Sequence, residues 1–356
     1  MTGRTAPEQG ATRAAALEVQ RRFGIVQGLE VTRPYAFTAD YLQRNLSAGV
    51  TGINVTLACP EARRGITPET WSFTNIIESI EEWHEAAAAV NDARVTIPVE
   101  SAEDIVRAQG EGKVGVILGI QGAGYWLDRK LVLLRTVYRL GVRIVGVSYQ
   151  RRDIFADGTG EPGDAGLSSL GHAFVREMNR VGVVLDLSHM GHRASLEALE
   201  VTEHPVIFSH SNVRALCDSP RNLSDRQLDA LARNGGVVGI ATLSPLLSRD
   251  GSQPTVDTVI THIDYVARRI GVDHVGLGMD YGHARRQEDL DIHNQSYGDV
   301  LGGSLTVENA HARGLDGPQD LVNVTVGLLE RGHSREDVGK ILSGNFLRVF
   351  RIVWGH

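Results

Sequence analysis

Two stretches of the chain decide its fold, Gly182-Val-Val-Leu-Asp-Leu-Ser-His189 and His204-Pro-Val-Ile-Phe-Ser-His210. Each is apolar along most of its length and ends in a histidine. Parallel strands covered on both faces are apolar throughout, and in a β/α barrel the residues at their carboxyl ends line the mouth. Two imidazoles on consecutive strands therefore predict a pair of ligands for one metal ion. A third stretch, His274-Val-Gly-Leu-Gly-Met-Asp280, ends in a carboxylate.

Eight apolar runs of this kind alternate with amphipathic helical patterns along the chain. They are 23–31, 50–57, 113–121, 143–149, 182–189, 204–211, 235–241 and 274–280. Alternating strands and helices predict the α/β class, and eight strands predict a single (β/α)8 TIM barrel formed by residues 21–356. Residues 1–20 are predicted to be an N-terminal extension.

Two connections are longer than a barrel needs, 151–169 and 281–317. Both follow predicted strands, so we expect them at the mouth of the barrel, where catalytic loops lie. The first carries four acidic residues among glycines, and the second holds His283, His293 and His311. Long loops in compact domains are usually functional, which makes both segments candidate parts of a site.

Composition limits the partners and the compartment. The 356 residues carry a formal charge of -7 and no cluster of Lys and Arg with interleaved aromatic residues, so we expect no nucleic-acid partner. The two cysteines, Cys59 and Cys217, are too few for a disulfide framework or a thiolate zinc site. No stretch is typical of a signal peptide or a membrane span, so the sequence predicts a cytoplasmic protein without membrane association.

Several motifs in the order Asp186-Leu-Ser-His189, Phe208-Ser-His-Ser-Asn212, Pro220-Arg-Asn-Leu-Ser-Asp225 and Gly344-Asn-Phe-Leu-Arg348 resemble those of one family. Together with the run that ends at Asp280, they are similar to the membrane (renal) dipeptidases, the M19 zinc peptidases of the amidohydrolase superfamily. The resemblance extends from Leu131 to Phe350. It implies a (β/α)8 barrel, often a homodimer, that hydrolyses dipeptides with two zinc ions bridged by a glutamate and a hydroxide.

The resemblance also implies roles for individual residues. His189 and His210 would be ligands of one zinc ion, and Arg221 would bind the terminal carboxylate of the substrate. Asp280 would be the base that takes the proton of the nucleophile. These roles suit the chemistry, because imidazoles are good zinc ligands, a guanidinium matches a carboxylate bidentately, and a carboxylate can accept a proton from water.

The chain departs from the family pattern at the other zinc. The family's first strand reads Asp-Gly-His-Asn-Asp, and the aligned residues here are 27–31, Gln-Gly-Leu-Glu-Val. Both ligand positions are thus aliphatic, at Leu29 and Val31. The bridging glutamate aligns with Gln121, and a histidine of the fourth strand aligns with Tyr149. A neutral amide is a poor bridge between two dications.

These departures leave further candidates. Gln121 could donate an amide oxygen to a retained metal, and Glu30 could replace a lost ligand, although strand alternation sends its side chain away from the mouth. Tyr149 could donate a hydrogen bond to a substrate oxygen or act as an acid. We therefore predict one zinc ion or none, with Asp280 and Tyr149 as catalytic residues.

Three hypotheses of function follow. The first is a dipeptidase-like, metal-dependent hydrolase of an amide bond in a small carboxylate-bearing substrate, with an altered, single-metal site. The second is a lyase, cyclase or isomerase of a small metabolite that works with little or no metal, since a smaller and drier site suits proton transfer. The third is a non-catalytic scaffold. The predicted partner is a small-molecule or dipeptide-like substrate, and the predicted assembly is a homodimer.

Overall fold

The computed structural model describes residues 6–58, 72–91, 95–282, 286–302 and 304–355. In these ranges it contains nine parallel strands. They are β1 (Ile25–Glu30), β2 (Val50–Ala58), β3 (Thr96–Pro98), β4 (Val114–Ile120), β5 (Val142–Gly146), β6 (Val184–Asp186), β7 (Ile207–Ser211), β8 (Val237–Ile240) and β9 (Val275–Leu277).

Eight of these strands close into a barrel, which confirms the predicted fold class. β1 pairs with both β2 and β9, and β2 pairs with β4, so the order is β1, β2, β4 to β9 and back to β1. All eight coincide with the predicted apolar runs. β3 is an additional three-residue strand beside β4, too short for its sequence pattern to have been recognised.

Helices surround the barrel. They are α1 (Ala6–Phe23), α2 (Ala39–Ser47), α3 (Phe73–Asn91), α4 (Ala102–Glu111), α5 (Ala123–Trp126), α6 (Val132–Arg139), α7 (Ser169–Val181), α8 (His192–Val201), α9 (Asp225–Asn234), α10 (Ser244–Leu247), α11 (Val256–Ile270), α12 (Gln287–Leu301), α13 (Leu321–Glu330), α14 (Arg335–Gly339) and α15 (Asn345–Trp354). No helix in the described ranges has the length and the hydrophobicity needed to cross a membrane.

The segment predicted as an N-terminal extension lies largely in α1. This helix packs against α13, where the side chain of Gln20 donates a hydrogen bond to Thr325 Oγ1 at 3.0 Å. Ala16 and Val19 are buried. α1 therefore contributes to the outer helical layer.

Phe346 of α15 fills the barrel at the amino ends of the strands. A Cβ atom at Gly28 would lie 2.8 Å from Phe346 Cζ, and one at Gly276 would lie 2.5 Å from Phe346 Cε2. Glycines at these two positions give the ring its space. The first inward residues of the strands complete this apolar layer: Val26, Ile117, Ile144, Val184, Ile207 and Val237. Apolar side chains thereby fill this end of the barrel.

The two long connections behave differently. Residues 151–168 form no helix or strand and are held by short bridges such as Ala156 with Leu167. The second connection contains α12, which the sequence analysis did not recognise because the segment is polar along most of its length. Arg151 Nη2 contacts both carboxylate oxygens of Asp299 on α12 at 2.7 Å, which joins the two segments over the mouth. His283 lies outside the described residues.

Candidate active site

A small cavity lies at the carboxyl ends of the strands. Six residues singled out from the sequence line it together: Gln121, Tyr149, His189, His210, Arg221 and Asp280. The remaining lining residues are Val31, Gln150, Leu243, Leu246, His293, Leu301 and Leu305. Side chains that are far apart in the sequence thus converge on one small volume.

The two histidines are in direct contact. His189 Nε2 and His210 Nε2 are 2.8 Å apart, so one ring donates a hydrogen bond to the other. Burial, reinforced by the nearby charge of Arg221, lowers the pKa of both imidazoles well below the usual value. Both rings are therefore neutral at physiological pH, which is the form that binds a metal ion.

Arg221 is buried against the same pair. Its Nε donates to His189 Nδ1 at 3.1 Å, its Nη1 to Ser211 Oγ at 2.9 Å and its Nη2 to the backbone oxygen of His210 at 2.9 Å. Burial lowers the pKa of Arg221 to about 10, against the opposing effect of Asp280 and other anionic groups. A guanidinium has five N–H groups, so each terminal nitrogen retains one more donor for a ligand.

A directed hydrogen-bond chain fixes the protons of the two rings. Ser209 Oγ donates to Asp186 Oδ2 at 2.5 Å, so its oxygen accepts from His210 Nδ1, 2.7 Å away. His210 then accepts at Nε2 from His189 Nε2, and His189 accepts at Nδ1 from Arg221. The two ends of this hydrogen-bond chain require the same donor and acceptor assignment, because Arg221 can only donate and a carboxylate can only accept. Asp186 and Ser209 lie within motifs of the sequence, but nothing in the sequence shows that they touch, so it predicts no role for them.

Two residues of the site have an unusual backbone. His189 and Asp280 adopt φ angles of 71° and 59°, in the left-handed region that non-glycine residues seldom occupy. Each lies just past the end of its strand, where the chain turns to direct the side chain into the mouth. Backbone strain of this kind typically costs about 1–3 kcal/mol and concentrates at functional sites.

Aromatic rings form one side of the cavity. Tyr149 stacks on His189 with ring centroids 4.0 Å apart, and Tyr297 of α12 packs edge-on against Tyr149 at 5.3 Å. His293, also on α12, lines the cavity and lies 5.8 Å from the Tyr297 ring. The sequence places His293 on a segment at the mouth but does not predict that its side chain faces the cavity. That orientation depends on α12, which the sequence pattern does not reveal.

Gln121 and Glu30 lie in different places. Gln121 lines the cavity and donates from Nε2 to Thr56 Oγ1 at 3.1 Å. Among the described residues, its buried Oε1 has no hydrogen-bond partner. The structure does not bring Glu30 to the cavity: its carboxylate accepts hydrogen bonds from Tyr41 and Thr32. Burial raises the pKa of Glu30 to about 8, only partly offset by the Thr32 hydrogen bond.

The two metal positions implied by the sequence differ in the donor atoms that they offer. At the first-strand position Leu29 and Val31 offer no lone pairs. The described residues contain no group of three or more His, Cys, Asp and Glu side chains placed to hold a metal. A single ion could still use His189, His210 and the unsatisfied oxygen of Gln121, since zinc accepts nitrogen and oxygen ligands. The proton on Nδ1 leaves the lone pair of His210 Nε2 to accept from His189, so a metal would have to displace that contact. His189 would also have to exchange its contact with Arg221.

Comparison with known families identifies the chain. The model of the membrane dipeptidases, peptidase family M19, matches residues 41–301, a range that includes His189, His210, Arg221 and Asp280. The chain belongs to this family.

Relatives of known name support the assignment. Dipeptidase tcpJ of Claviceps purpurea (strain 20.1) is 36% identical over 254 residues, covering 71% of this chain and 54% of that protein. Dipeptidase 3 of Homo sapiens is 32% identical over 284 residues, covering 78% of this chain and 51% of its own length. The chain therefore spans about half the length of these relatives. Among solved structures, an amidohydrolase from Pseudomonas aeruginosa superposes with a TM-score of 0.84 at 28% identity, over 96% of this chain and 99% of that chain.

Proposed function

We propose that this M19-family protein hydrolyses an amide bond in a small, carboxylate-bearing substrate such as a dipeptide, with one zinc ion instead of two. The observation that carries the proposal is the convergence of His189, His210, Arg221 and Asp280 on one cavity. Each of these residue types matches a step that amide hydrolysis requires. The family assignment supports the reaction class.

The chain's own residues would divide the work. Arg221 would bind the substrate carboxylate with its remaining N–H groups, while its contacts to Ser211 and His210 hold the guanidinium still. Asp280 would accept the proton of the attacking water, and the Tyr149 hydroxyl would donate to the carbonyl oxygen. A zinc ion held by His189, His210 and Gln121 would supply Lewis acidity to lower the pKa of water.

One observation favours a second function. The hydrogen-bond chain from Arg221 to Asp186 gives every ring nitrogen of His189 and His210 a hydrogen-bond partner without a metal. A neutral, hydrogen-bonded imidazole pair beside a phenol and a carboxylate is suited to proton transfer. A metal-free lyase, cyclase or isomerase that uses Tyr149 and Asp280 as acid and base is therefore the second candidate.

Hydrolysis assays distinguish the two. The protein would be reconstituted with zinc and assayed for free amino acids released from a panel of dipeptides, alongside the Asp280→Asn and His210→Ala variants. The first proposal predicts zinc-dependent release that both variants abolish. Absence of release by zinc-loaded protein, or release that persists after His210→Ala, would overturn it.

A further inference from the structure

The cavity is lined by apolar side chains as well as polar ones, and the apolar ones together form what we call the apolar wall. Leu243 and Leu246 reach it from the segment after β8 and from α10, and Leu301 and Leu305 reach it from the end of α12 and beyond. All four are at most 5% exposed. With Ala241, Leu290 and Ala310 they form an apolar cluster separate from the main core of the barrel. These leucines therefore come from the segment that follows β8 and from the segment that contains α12.

The first strand extends the same wall. Val31 lines the cavity at a position where the family pattern has a metal-binding aspartate. An aliphatic side chain there removes charge and the water that charge would hold. Five aliphatic side chains thus line the same cavity as Arg221.

We propose that the cavity selects a carboxylate whose body is a compact aliphatic group, such as a dipeptide of a branched-chain amino acid. The carboxylate end rests on the proposed function, since Arg221 binds it there. The aliphatic end rests on the five side chains of the apolar wall. A ligand that carried a second charge would have to bury it against leucines without a partner, which is strongly unfavourable.

Simple carboxylates test this without any bond to hydrolyse. Binding of acetate, 4-methylpentanoate and succinate would be measured by titration calorimetry. Each buried methylene is worth roughly fourfold in affinity, so 4-methylpentanoate should bind at least about tenfold more tightly than acetate. Succinate should bind no more tightly than acetate. Equal affinities for acetate and 4-methylpentanoate, or tighter binding of succinate, would overturn the proposal.

Matched variants locate the effect. Leu301→Ala and Leu305→Ala remove parts of the wall, whereas Leu290→Ala removes a leucine of the same cluster that does not line the cavity. The ratio of the 4-methylpentanoate and acetate affinities should fall about threefold or more in the first two and stay unchanged in the third. The same fall in Leu290→Ala would show that the cluster acts through general stability and would contradict the proposal. The ratio of the two affinities is insensitive to partial unfolding. Thermal melts identify a variant that fails to fold, and if one of the two wall variants fails, the other provides the test.

The outcome separates this inference from the proposed function. Dipeptide hydrolysis by a protein with no preference for 4-methylpentanoate refutes the inference and leaves the reaction intact. A clear preference in a protein that hydrolyses no dipeptide refutes the reaction and supports the inference.

Discussion

Arg221 donates hydrogen bonds to its neighbours through three nitrogen atoms, which hold it in place to bind the substrate carboxylate. Its proposed role is therefore in substrate binding and not in the chemical step. Arg221→Ala should raise KM far more than it lowers kcat, because truncating one partner of a desolvated guanidinium–carboxylate pair typically costs on the order of 2–5 kcal/mol. Arg221→Lys should recover little, since an ammonium lacks the planar fork. Steady-state kinetics of both variants on a substrate from the dipeptide panel measure the effect. An unchanged KM with a collapsed kcat would assign Arg221 to the chemical step.

Ser209 and Asp186 are positioning residues for His210. Ser209→Ala and Asp186→Asn should weaken zinc binding by roughly 10- to 100-fold, the usual effect of losing a hydrogen bond to a ligating histidine. Competition against a chromogenic chelator gives the affinity directly. Ser195→Ala, which removes a buried hydroxyl bound to Gln227 on α9, is the matched control and should leave zinc affinity unchanged. Equal affinities in all four proteins would mean that the serine and the aspartate do not act on the metal.

Glu30 should make the fold sensitive to alkaline pH. Its folded-state pKa of about 8 lies above the unfolded value of 4.5, so between these values the folded state binds more protons than the unfolded state. Stability is therefore greatest at low pH with respect to this group and falls as the pH rises toward 8, by a total on the order of 4 kcal/mol. Glu30→Gln, which cannot ionise, should show a smaller fall in free energy of unfolding between pH 6 and 8.5. Parallel denaturation curves for both proteins across that range would contradict the assigned protonation.

At the scale of elements, periodicity located the strands well because each barrel strand is apolar on both faces. It did not find α12, whose buried residues are too few among polar ones to give a strong stripe: Leu290, His293, Tyr297, Val300 and Leu301. This omission mattered for the site. Leu301 of the apolar wall and Tyr297, which packs on Tyr149, both lie on α12, so this part of the cavity could not be anticipated from sequence.

The contact between Arg151 and Asp299 should hold α12 in place. Arg151→Ala should change global stability by less than about 1 kcal/mol, because both side chains are substantially exposed. It should nevertheless speed amide hydrogen exchange in α12, since the helix loses its tie to the neighbouring mouth segment. Arg269→Ala breaks a similar bidentate pair with Asp229 at the surface and should leave exchange in α12 unchanged. Identical exchange in α12 for the two variants would show that the pair does not restrain it.

At the scale of the whole molecule, the barrel and its mouth residues followed from the sequence because a closed parallel sheet gathers all its carboxyl ends at one place. Strand order alone brings His189, His210 and Asp280 together, although they are up to 91 residues apart in the chain. Contacts between individual side chains could not be predicted from the sequence. The stacking of Tyr149 on His189 and the chain through Ser209 depend on rotamers and on loop paths, which no sequence spacing specifies.

The central claim is that the site holds one metal ion, and the metal content of the purified protein tests it most directly. Protein saturated with zinc and freed of excess ion would be measured by plasma mass spectrometry beside His189→Ala and His210→Ala. We expect one zinc ion per chain in the unaltered protein and strongly reduced binding in both variants, since Leu29 and Val31 supply no second set of ligands. Two ions per chain, or one ion that both variants retain, would contradict the account.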